Sequence, residues 1–300
     1  MKIITEEANC PLCGQINIDQ RKTISTQDFA FASSEDTYHY TLCVKCDLYF
    51  LQNRPIAAEL SKIYPQNYSG WSKRSRFMHY MRKRNFKSKF LISEPTPNSV
   101  VLDYGCGNGE FISSINNLTK ESVGFDFTLD QIPAELQQDK KLEFAKDHSV
   151  LQTRAQFDRI FLLQVIEHLP DPVETIIFLK SLLATDGRIV IETPSRTGWD
   201  SKIKPNKFWG GWHAPRHFHI WGEESLTKLS DAVDMKMISK TYLPSPYQWA
   251  ETLKPLAPKS LRGFISSDKV VFVVVVYLVD LFQIFVLKKS SNLRVVLVKN

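Results

Sequence analysis

Apolar positions between residues 99 and 195 recur in two alternating spacings. Short apolar runs, as in VVLDY at 100–104 and FDRIFLL at 157–163, predict buried strands, and the stretch from 172 to 183 has helical spacing. Gly187 is expected to cap that helix at its carboxyl end. Because strands and helices alternate with short links, the pattern predicts an α/β fold with a doubly wound sheet covered by helices on both faces.

Two segments near the end of the chain are predicted to pair as strands, MKMISKTYL at 235–243 and LRVVLVKN at 293–300. Residues 270–287, which lie between them, are apolar except for Asp280 and Gln283. A helix of that length is about 27 Å long, which barely spans a bilayer. Crossing would separate the last strand from its sheet. The segment is therefore predicted to be either a buried helix or a helix in a membrane interface.

The 300 residues can form one large domain and a small module. Charged residues make up 23% and hydrophobic residues 43%, which argues against extensive disorder and against a polytopic membrane protein. The net charge is +6, and the run at 73–89 holds eight Lys or Arg and no acid. That run could face phosphates of a lipid, a nucleotide sugar or RNA, or it could be a solvated helix face.

Four of the five cysteines form two Cys-x-x-Cys pairs separated by 29 residues. Cys10, Cys13, Cys43 and Cys46 can present four thiolates to one tetrahedral zinc ion, with a hairpin between the pairs, although a redox role for one pair is an alternative. Four protein ligands indicate structural zinc. Its removal is expected to unfold this ribbon without abolishing the chemistry outright. The first ten residues have no apolar core of a secretory signal, so a reducing cytoplasm is expected.

The stretch VVLDYGCGNG at 100–109 passes from a strand through an acid into a Gly-x-Gly-x-Gly turn, followed by a predicted helix. Glycines in this position let the backbone approach a nucleotide-like ligand closely, although a tight turn alone also uses glycine. Asp126 ends the apolar stretch VGFD, where an acid can accept both ribose hydroxyls or cap a helix. The next strand is predicted to end at Asp147. This order of elements predicts a nucleotide-cofactor site.

The motifs VLDYGCGNGEF, VGFD, VIEHLPDP and GRIVIETPS together resemble the successive motifs of the class I S-adenosylmethionine-dependent methyltransferases. The resemblance covers residues 99–195 and implies a Rossmann-like sheet of seven strands. The preference for S-adenosylmethionine over NAD rests on the glycine spacing and on this resemblance. It implies that cofactor-binding residues are Asp103, Gly105, Cys106, Gly107, Gly109, Asp126, Phe127, Asp147, Leu163, Gln164 and His168.

The loop at 195–226 contains four tryptophans and three histidines and is predicted to form the substrate wall. An oxygen or carbon acceptor must lose a proton to a base, so His213, His217 and His219 are the candidate catalytic residues, each of which could instead have a structural role. Glu167 and His168 are expected to orient the loop after the fourth strand. The PRHFHIW stretch resembles that of zinc-ribbon methyltransferases with a Pro-Arg-His loop and, less closely, sugar C-methyltransferases, which have an acid where this chain has Arg216.

These observations divide the chain into a zinc ribbon at 1–52, a basic helical linker at 53–98, a methyltransferase core at 99–243, a hydrophobic helical insertion at 244–291 and a last strand at 292–300. The expected activity is methyl transfer to a nucleotide sugar, glycan or lipid-linked precursor in a bacterial cytoplasm, with possible peripheral membrane contact through 270–287 and 73–89. The alternatives are an RNA methyltransferase, a quinone-type O-methyltransferase and a non-catalytic cofactor-binding protein. Nucleic acid is not the expected partner, since ribbon-bearing rRNA methyltransferases have a histidine where this chain has Cys46.

Overall fold

The computed structural model describes residues 2–15, 23–64, 76–154, 156–203 and 208–300, and it describes only the backbone for 76–83. The strands are β1 Thr5–Glu7, β2 Thr23–Thr26, β3 Tyr38–Cys43, β4 Leu48–Leu51, β5 Asn53–Pro55, β6 Val100–Tyr104, β7 Glu121–Phe125, β8 Leu142–Ala145, β9 Phe157–Leu163, β10 Leu183–Pro194, β11 His219–Ile220, β12 Met235–Tyr242 and β13 Asn292–Lys299.

The helices are α1 Leu60–Ile63, α2 Arg76–Ile92, α3 Glu110–Ile115, α4 Ala134–Gln137, α5 His148–Gln152, α6 Pro172–Leu182, α7 Asp200–Ile203, α8 Glu223–Ala232, α9 Pro246–Leu253 and α10 Val270–Leu287. Three short 3₁₀ turns at Ala57–Glu59, Asn116–Leu118 and Ile166–His168 complete the helical elements among the described residues. Much of the basic run at 73–89 lies outside what is described, since 73–75 and the side chains of 76–83 are not covered.

Seven of the described strands form the central sheet, in the order β12-β13-β10-β9-β6-β7-β8. Strands β10, β9, β6, β7 and β8 are parallel to one another. Strand β13 lies between β10 and β12 and is antiparallel to both, so the predicted pairing of β12 with β13 is confirmed. This arrangement confirms the predicted doubly wound α/β fold with seven strands. The strand order reverses between β6 and β9, where ligands bind beyond the carboxyl ends of the strands in such sheets.

Side chains of the central strands alternate between two cores. Leu102 and Ile160 face a core that includes residues of α6 and α8, whereas Val101 and Phe161 face a core that includes residues of α2 and α3. Because successive residues of a strand point to opposite faces, near-continuous apolar runs are what a sheet buried on both faces requires.

Helix α6 ends earlier than the sequence predicts. It stops at Leu182, and Leu183 already pairs with Phe157 of β9, so Gly187 lies within β10 and does not cap the helix. Leu183 is fully buried, while Ile177 is 48% exposed. The burial of Leu183 in the sheet core therefore outweighs the helical spacing on which that prediction depended.

A second sheet contains the ribbon strands, in the order β11-β4-β3-β2. Its edge strand β11 comes from the loop after β10, and His219 pairs with Phe50 of β4. The cysteine pairs and Leu48 of the ribbon belong to the same apolar core as Tyr104 and Trp221. The segments predicted as ribbon and methyltransferase core thus share both a sheet and a core.

Candidate functional site

The turn after β6 lies at the carboxyl edge of the sheet, at the point where the strand order reverses. Gly105, Gly107 and Gly109 have φ values of 80°, 55° and 74°. A Cβ on Gly105 would lie 2.5 Å from Cγ2 of Val165, in the loop after β9. Residues other than glycine are disfavoured at these positive φ angles. At position 105 a side chain would also collide with Val165, so the turn can lie against the loop after β9 only with glycine there.

Asp126 follows β7 and faces the glycine turn. Its Oδ2 accepts a hydrogen bond from the N–H of Gly107 at 2.9 Å. Asp126 is half-buried, and burial raises the pKa of its carboxyl group. Its carboxylate therefore lies directly beside the backbone of the glycine turn.

Asp103 and Cys106 lie at the base of the same turn, with exposures of 2% and 8%. Burial, and then the negative charge of Asp126, raise the pKa of Asp103 to about 8. Because a nearby positive charge favours an ionised carboxylate, a cationic ligand at the turn would lower that pKa. Burial also raises the pKa of the Cys106 thiol, so this cysteine is a neutral packing group.

Aromatic side chains border the turn on the β7 side. Tyr104 and Phe125 stack with ring centroids 4.7 Å apart, and the His148 ring stacks on Phe125 at 4.9 Å. Phe127 is 69% exposed, and exposed Asp147 directly precedes His148. His148 belongs to no motif in the sequence, and its position next to Asp147 is the signal that points to it. The Phe127 and His148 rings offer faces on which a flat heterocycle could stack.

Leu163 and Gln164 lie where β9 ends. Gln164 has a φ of 62° and donates its N–H to the carbonyl of Glu192 at 2.8 Å. Its side-chain amide donates to Oδ1 of Asn292 at 3.1 Å. These bonds fix the backbone that leads into Val165, which packs against Gly105.

Glu167, His168 and His217 come together one turn beyond Val165. One ligand atom from each of the three lies within 4.8 Å of the other two, and Oε1 of Glu167 is 4.0 Å from Nε2 of His217. Buried Oε1 of Glu167 has no hydrogen-bond partner among the described residues, while its Oε2 accepts from Thr193. This cluster joins the loop after β9 to the histidine-rich loop, and its donor set could also hold a metal ion.

Hydrogen bonds to carbonyl groups determine the tautomers of both histidines. Nδ1 of His217 lies 2.8 Å from the carbonyl oxygen of Gly211, and Nδ1 of His168 lies 3.0 Å from that of Arg216. A carbonyl oxygen can only accept, so each Nδ1 carries the proton and each Nε2 has a lone pair. Nε2 of His217 is therefore an acceptor that faces another acceptor, the carboxylate of Glu167.

Burial controls ionisation in this cluster. It lowers the pKa of His217 well below its usual value and that of His168 to about 4, and it raises the pKa of Glu167 to about 8. Both imidazoles are thus neutral at pH 7, and Glu167 is largely protonated. The 4.0 Å between Oε1 of Glu167 and Nε2 of His217 is longer than a hydrogen bond, so the two atoms do not share a proton in this structure.

The other two candidate bases have different surroundings. The His213 ring lies 4.9 Å from His217 and 5.6 Å from Phe31, and it lines a cleft with other residues. His219 lies in β11, with its ring 5.8 Å from that of Trp221. Of the three predicted histidines, His217 therefore lies in the cluster with Glu167 and His168. His213 lies beside that cluster, and His219 lies in the ribbon sheet.

The two cysteine pairs converge at one point. Their four sulfur atoms lie within 4.8 Å of one another, with the Cys13 and Cys43 sulfurs 3.6 Å apart. A tetrahedral zinc ion with bonds of about 2.3 Å to sulfur separates its ligands by about 3.8 Å. Cys10, Cys13, Cys43 and Cys46 therefore fit a zinc site without rearrangement of the backbone.

Residues 66–240 match the family described as a methyltransferase domain. The chain belongs to this family. This methyltransferase is 35% identical over 109 residues to a ubiquinone biosynthesis O-methyltransferase of Glaesserella parasuis, a match that covers 32% of the chain and 46% of the relative. It is 27% identical over 165 residues to the enzyme of that name from Dinoroseobacter shibae, covering 50% of the chain and 66% of the relative.

The methyltransferase spans between about half and two thirds of the length of these curated relatives. Among solved structures, magnesium protoporphyrin IX methyltransferase from Synechocystis PCC 6803 is 13% identical, with a TM-score of 0.48 and coverage of 81% of this chain and 94% of that one.

In this methyltransferase, the ribbon holds the histidine-rich loop in place. The Tyr40 hydroxyl lies 2.6 Å from the carbonyl oxygen of His217 and 2.8 Å from that of Trp212. Arg216 forms a fully buried pair with Asp28 at 2.9 Å, and its guanidinium lies 4.4 Å from the centre of the Phe31 ring. The orientation of His217 therefore depends on ribbon residues that carry no recognisable sequence motif.

The Asp28–Arg216 pair is expected to be a large source of stability. The Asp28→Asn variant leaves the Arg216 guanidinium buried without its counterion, so we expect the free energy of unfolding to fall by about 3–5 kcal/mol. Urea denaturation of the zinc-loaded protein measures this change. Glu35→Gln, at an exposed ribbon carboxylate, is the control and should leave stability within about 0.5 kcal/mol of wild type. Equal stability of both variants would show that the pair contributes little.

Proposed function

We propose that this protein transfers the methyl group of S-adenosylmethionine to a hydroxyl group of a small molecule, with His217 as the general base. The observation that carries this proposal is the position of the Glu167–His168–His217 cluster, which is joined to the glycine turn through Val165. A hydroxyl group needs a base that is neutral near pH 7, and the lone pair of His217 Nε2 meets that need.

The residues around the glycine turn would hold the cofactor. Asp126 would accept hydrogen bonds from the ribose hydroxyls. The exposed rings of Phe127 and His148 would stack on the adenine, beside Asp147. The carboxylate of Asp103 would attract the positive charges at the methionine end of the cofactor. When bound, S-adenosylmethionine supplies a methyl group on a positively charged sulfur. The backbone of Leu163 and Gln164 would face the methionine end of the site.

His217 would take the proton of the acceptor hydroxyl at Nε2 as the oxygen attacks the methyl carbon. Its Nδ1–H remains bonded to the Gly211 carbonyl, which keeps the ring oriented. In its ionised form, Glu167 would stabilise the imidazolium across the 4.0 Å gap. We assign His213 a role in the acceptor site, since it lines the adjoining cleft, and we assign His219 a structural role in β11.

Aromatic residues line that cleft, among them Phe29, Trp209 and Trp212. Aromatic faces pack well against the rings of sugars and of quinol precursors. The cleft has a volume of about 30 Å³, which is room for about one water molecule, so an acceptor would bind there only after its aromatic side chains move apart. With that movement, we propose a hydroxyl acceptor on a nucleotide sugar, a glycan or a lipid-linked precursor. A quinol precursor is the second candidate, and the names of the two relatives favour it.

The cofactor part of the proposal predicts a clear difference between two acids. In Asp126→Asn one carboxylate oxygen that would accept a ribose hydroxyl becomes a donor, and we expect the Kd for S-adenosylmethionine to rise about 10- to 100-fold, the effect of one or two charged hydrogen bonds. Isothermal titration measures this Kd. Asp130→Asn, at an exposed acid four residues away, is the control and should bind like wild type. Unchanged binding by Asp126→Asn would remove Asp126 from the site.

We also propose that the four cysteines bind one structural zinc ion. The fit of their sulfur positions supports this assignment. Metal analysis of the purified chain should give about one zinc per protein.

A further inference from the structure

Helix α10 has an unusual distribution of polarity. Its buried residues are Val276, Asp280 and Gln283, and two of these three are polar. Helices on the surface of a water-soluble domain normally bury their apolar face and expose their polar face. By length and composition α10 could cross a membrane, yet only 17% of it is buried. A core helix of a soluble protein would be mostly buried.

Hydrogen bonds from the polar residues determine which face of α10 points inward. Asp280 accepts from the backbone N–H of Ser245 at 2.7 Å and from the indole N–H of Trp249 at 2.9 Å. Gln283 accepts from the N–H of Trp199 at 2.7 Å and donates to Asp280 at 3.0 Å. These bonds would break if the helix rotated to bury its apolar side, so the apolar side is held outward.

The outward face is large and continuous. Nine of its apolar side chains are between 42% and 78% exposed, namely Val270, Val271, Val274, Val275, Tyr277, Leu278, Phe282, Phe285 and Val286. Trp199, which is 41% exposed, extends the face through its contact with Phe282 at 5.7 Å. Contiguous exposed apolar surface of this kind marks a site of interaction with a membrane or another protein.

The ends of the segment lie together on the central sheet. The N–H of Leu243 donates to the carbonyl of Asn292 at 2.9 Å, and the Ser290 hydroxyl donates to the carbonyl of Leu243 at 2.6 Å. A helix that crossed a bilayer would place its two ends about 27 Å apart on opposite sides. Crossing would therefore require β13 to leave the sheet, and the helix can enter a membrane only from one side.

Basic residues flank α10 along the chain. Between 254 and 289 the chain has six of them, Lys254, Lys259, Arg262, Lys269, Lys288 and Lys289, against two acids. One of the acids, Asp280, points into the protein and is fully buried. Cations around an apolar face complement the negative headgroups of an anionic membrane, and they disfavour pairing with a second copy of the same face.

We propose that the outward face of α10 docks into the interface of an anionic lipid bilayer, with the helix lying in the plane of the membrane. Phe264 and Leu261, which are 70% and 51% exposed, precede the helix and would enter with it. Trp199 and Tyr277 carry both apolar and polar groups, as is typical of side chains at the headgroup level. The proposal does not depend on the identity of the methyl acceptor.

The docked face is adjacent to the histidine-rich loop. Helix α9, which packs against α10, accepts a hydrogen bond at Thr252 Oγ1 from the N–H of Gly210 at 2.9 Å. The cleft that contains His213 is also lined by Glu251 and Pro255. Docking through α10 would therefore bring the residues that line this cleft near the membrane surface.

Flotation with vesicles of phosphatidylcholine alone and of phosphatidylcholine with phosphatidylglycerol tests the proposal on the zinc-loaded full chain. We expect the protein to float with the anionic vesicles, less so in high salt, and poorly with the neutral ones. The double variant Leu278→Glu with Phe285→Glu should reduce vesicle binding at least about tenfold, since loss of one large apolar contact changes an equilibrium by that order.

The matched control replaces two exposed isoleucines elsewhere, Ile177→Glu and Ile238→Glu, and should float like wild type. Circular dichroism confirms that each variant is folded. Wild type that stays unbound with both kinds of vesicle would overturn the proposal. Self-association that the Leu278→Glu and Phe285→Glu changes abolish, without vesicle binding, would also overturn it and would identify a second copy as the partner.

Discussion

Replacement of His217 by Gln is expected to lower the rate of methyl transfer about 10²- to 10⁴-fold, the usual contribution of a positioned general base. The substitution removes the Nε2 lone pair that faces Glu167, while the glycine turn and Asp126 are untouched. The Kd for S-adenosylmethionine should therefore stay near the wild-type value. The rate is measured as transfer of a labelled methyl group into an extract that contains the acceptor, and binding is measured by titration.

His39→Gln is the matched control, because His39 lies in the ribbon, away from the cluster, and bonds Ser25 at 2.9 Å. It should leave the rate near wild type. His168→Gln is the competing test. If His168→Gln abolished transfer while His217→Gln retained it, then His168 would be the base and His217 a structural residue.

The rate of transfer should also depend on pH through Glu167. The carboxyl group of Glu167, whose pKa burial raises to about 8, must be ionised to stabilise the imidazolium. Protonation at lower pH removes that charge, so the rate should rise with pH through about 8 and level off about one pH unit higher. Glu167→Gln should be slow and lose this rise. A wild-type profile that falls between pH 6 and 8 would contradict the assignment.

Removal of zinc is expected to reduce methyl transfer about 10²-fold or more while cofactor binding persists. Without the ion the ribbon should unfold, because so small a module depends on metal for its stability. Unfolding of the ribbon would break three contacts to the histidine-rich loop. These are the pairing of β11 with β4, the bond from Tyr40 to the His217 carbonyl, and the Asp28–Arg216 pair. Displacement of a base by about 1 Å can cost that much in rate. The packing thus gives zinc a larger effect on chemistry than the cysteine spacing alone suggests.

Chelation followed by activity and titration measurements checks this expectation, and added zinc should restore activity. Cys46→Ala should reproduce the metal-free behaviour even when zinc is supplied. Zinc-free protein that retained more than half of the wild-type rate would show that the ribbon does not position His217.

The sequence predicts the central sheet well because each of its parts depends on local pattern. Apolar runs predict the parallel strands, and the glycine turn predicts where β6 meets α3. The pairing of β12 with β13 follows from two alternating segments 50 residues apart. By contrast, the end of α6 depends on burial of Leu183 in the sheet, a tertiary effect that helical spacing does not contain.

The candidate site could be predicted only in part. His217 and the four cysteines stand out by residue type and spacing. The role of Asp28 could not be predicted from the sequence, because its partner Arg216 lies 188 residues away. Both are also residue types that are usually found on protein surfaces. Glu167 was visible beside His168, but its unpaired buried oxygen depends on where the histidine-rich loop folds back. Likewise, composition reveals that 270–287 is apolar, but only the bonds of Asp280 and Gln283 determine which face is exposed.

Transfer of a labelled methyl group from S-adenosylmethionine into a bacterial extract, separated into RNA, lipid, glycan and small-molecule fractions, tests the central claim most directly. The account predicts label in the lipid, glycan or small-molecule fraction, as a methyl ether that resists mild alkali, and strongly reduced label with His217→Gln. Label confined to the RNA fraction, or no transfer by a protein that binds S-adenosylmethionine, would contradict it.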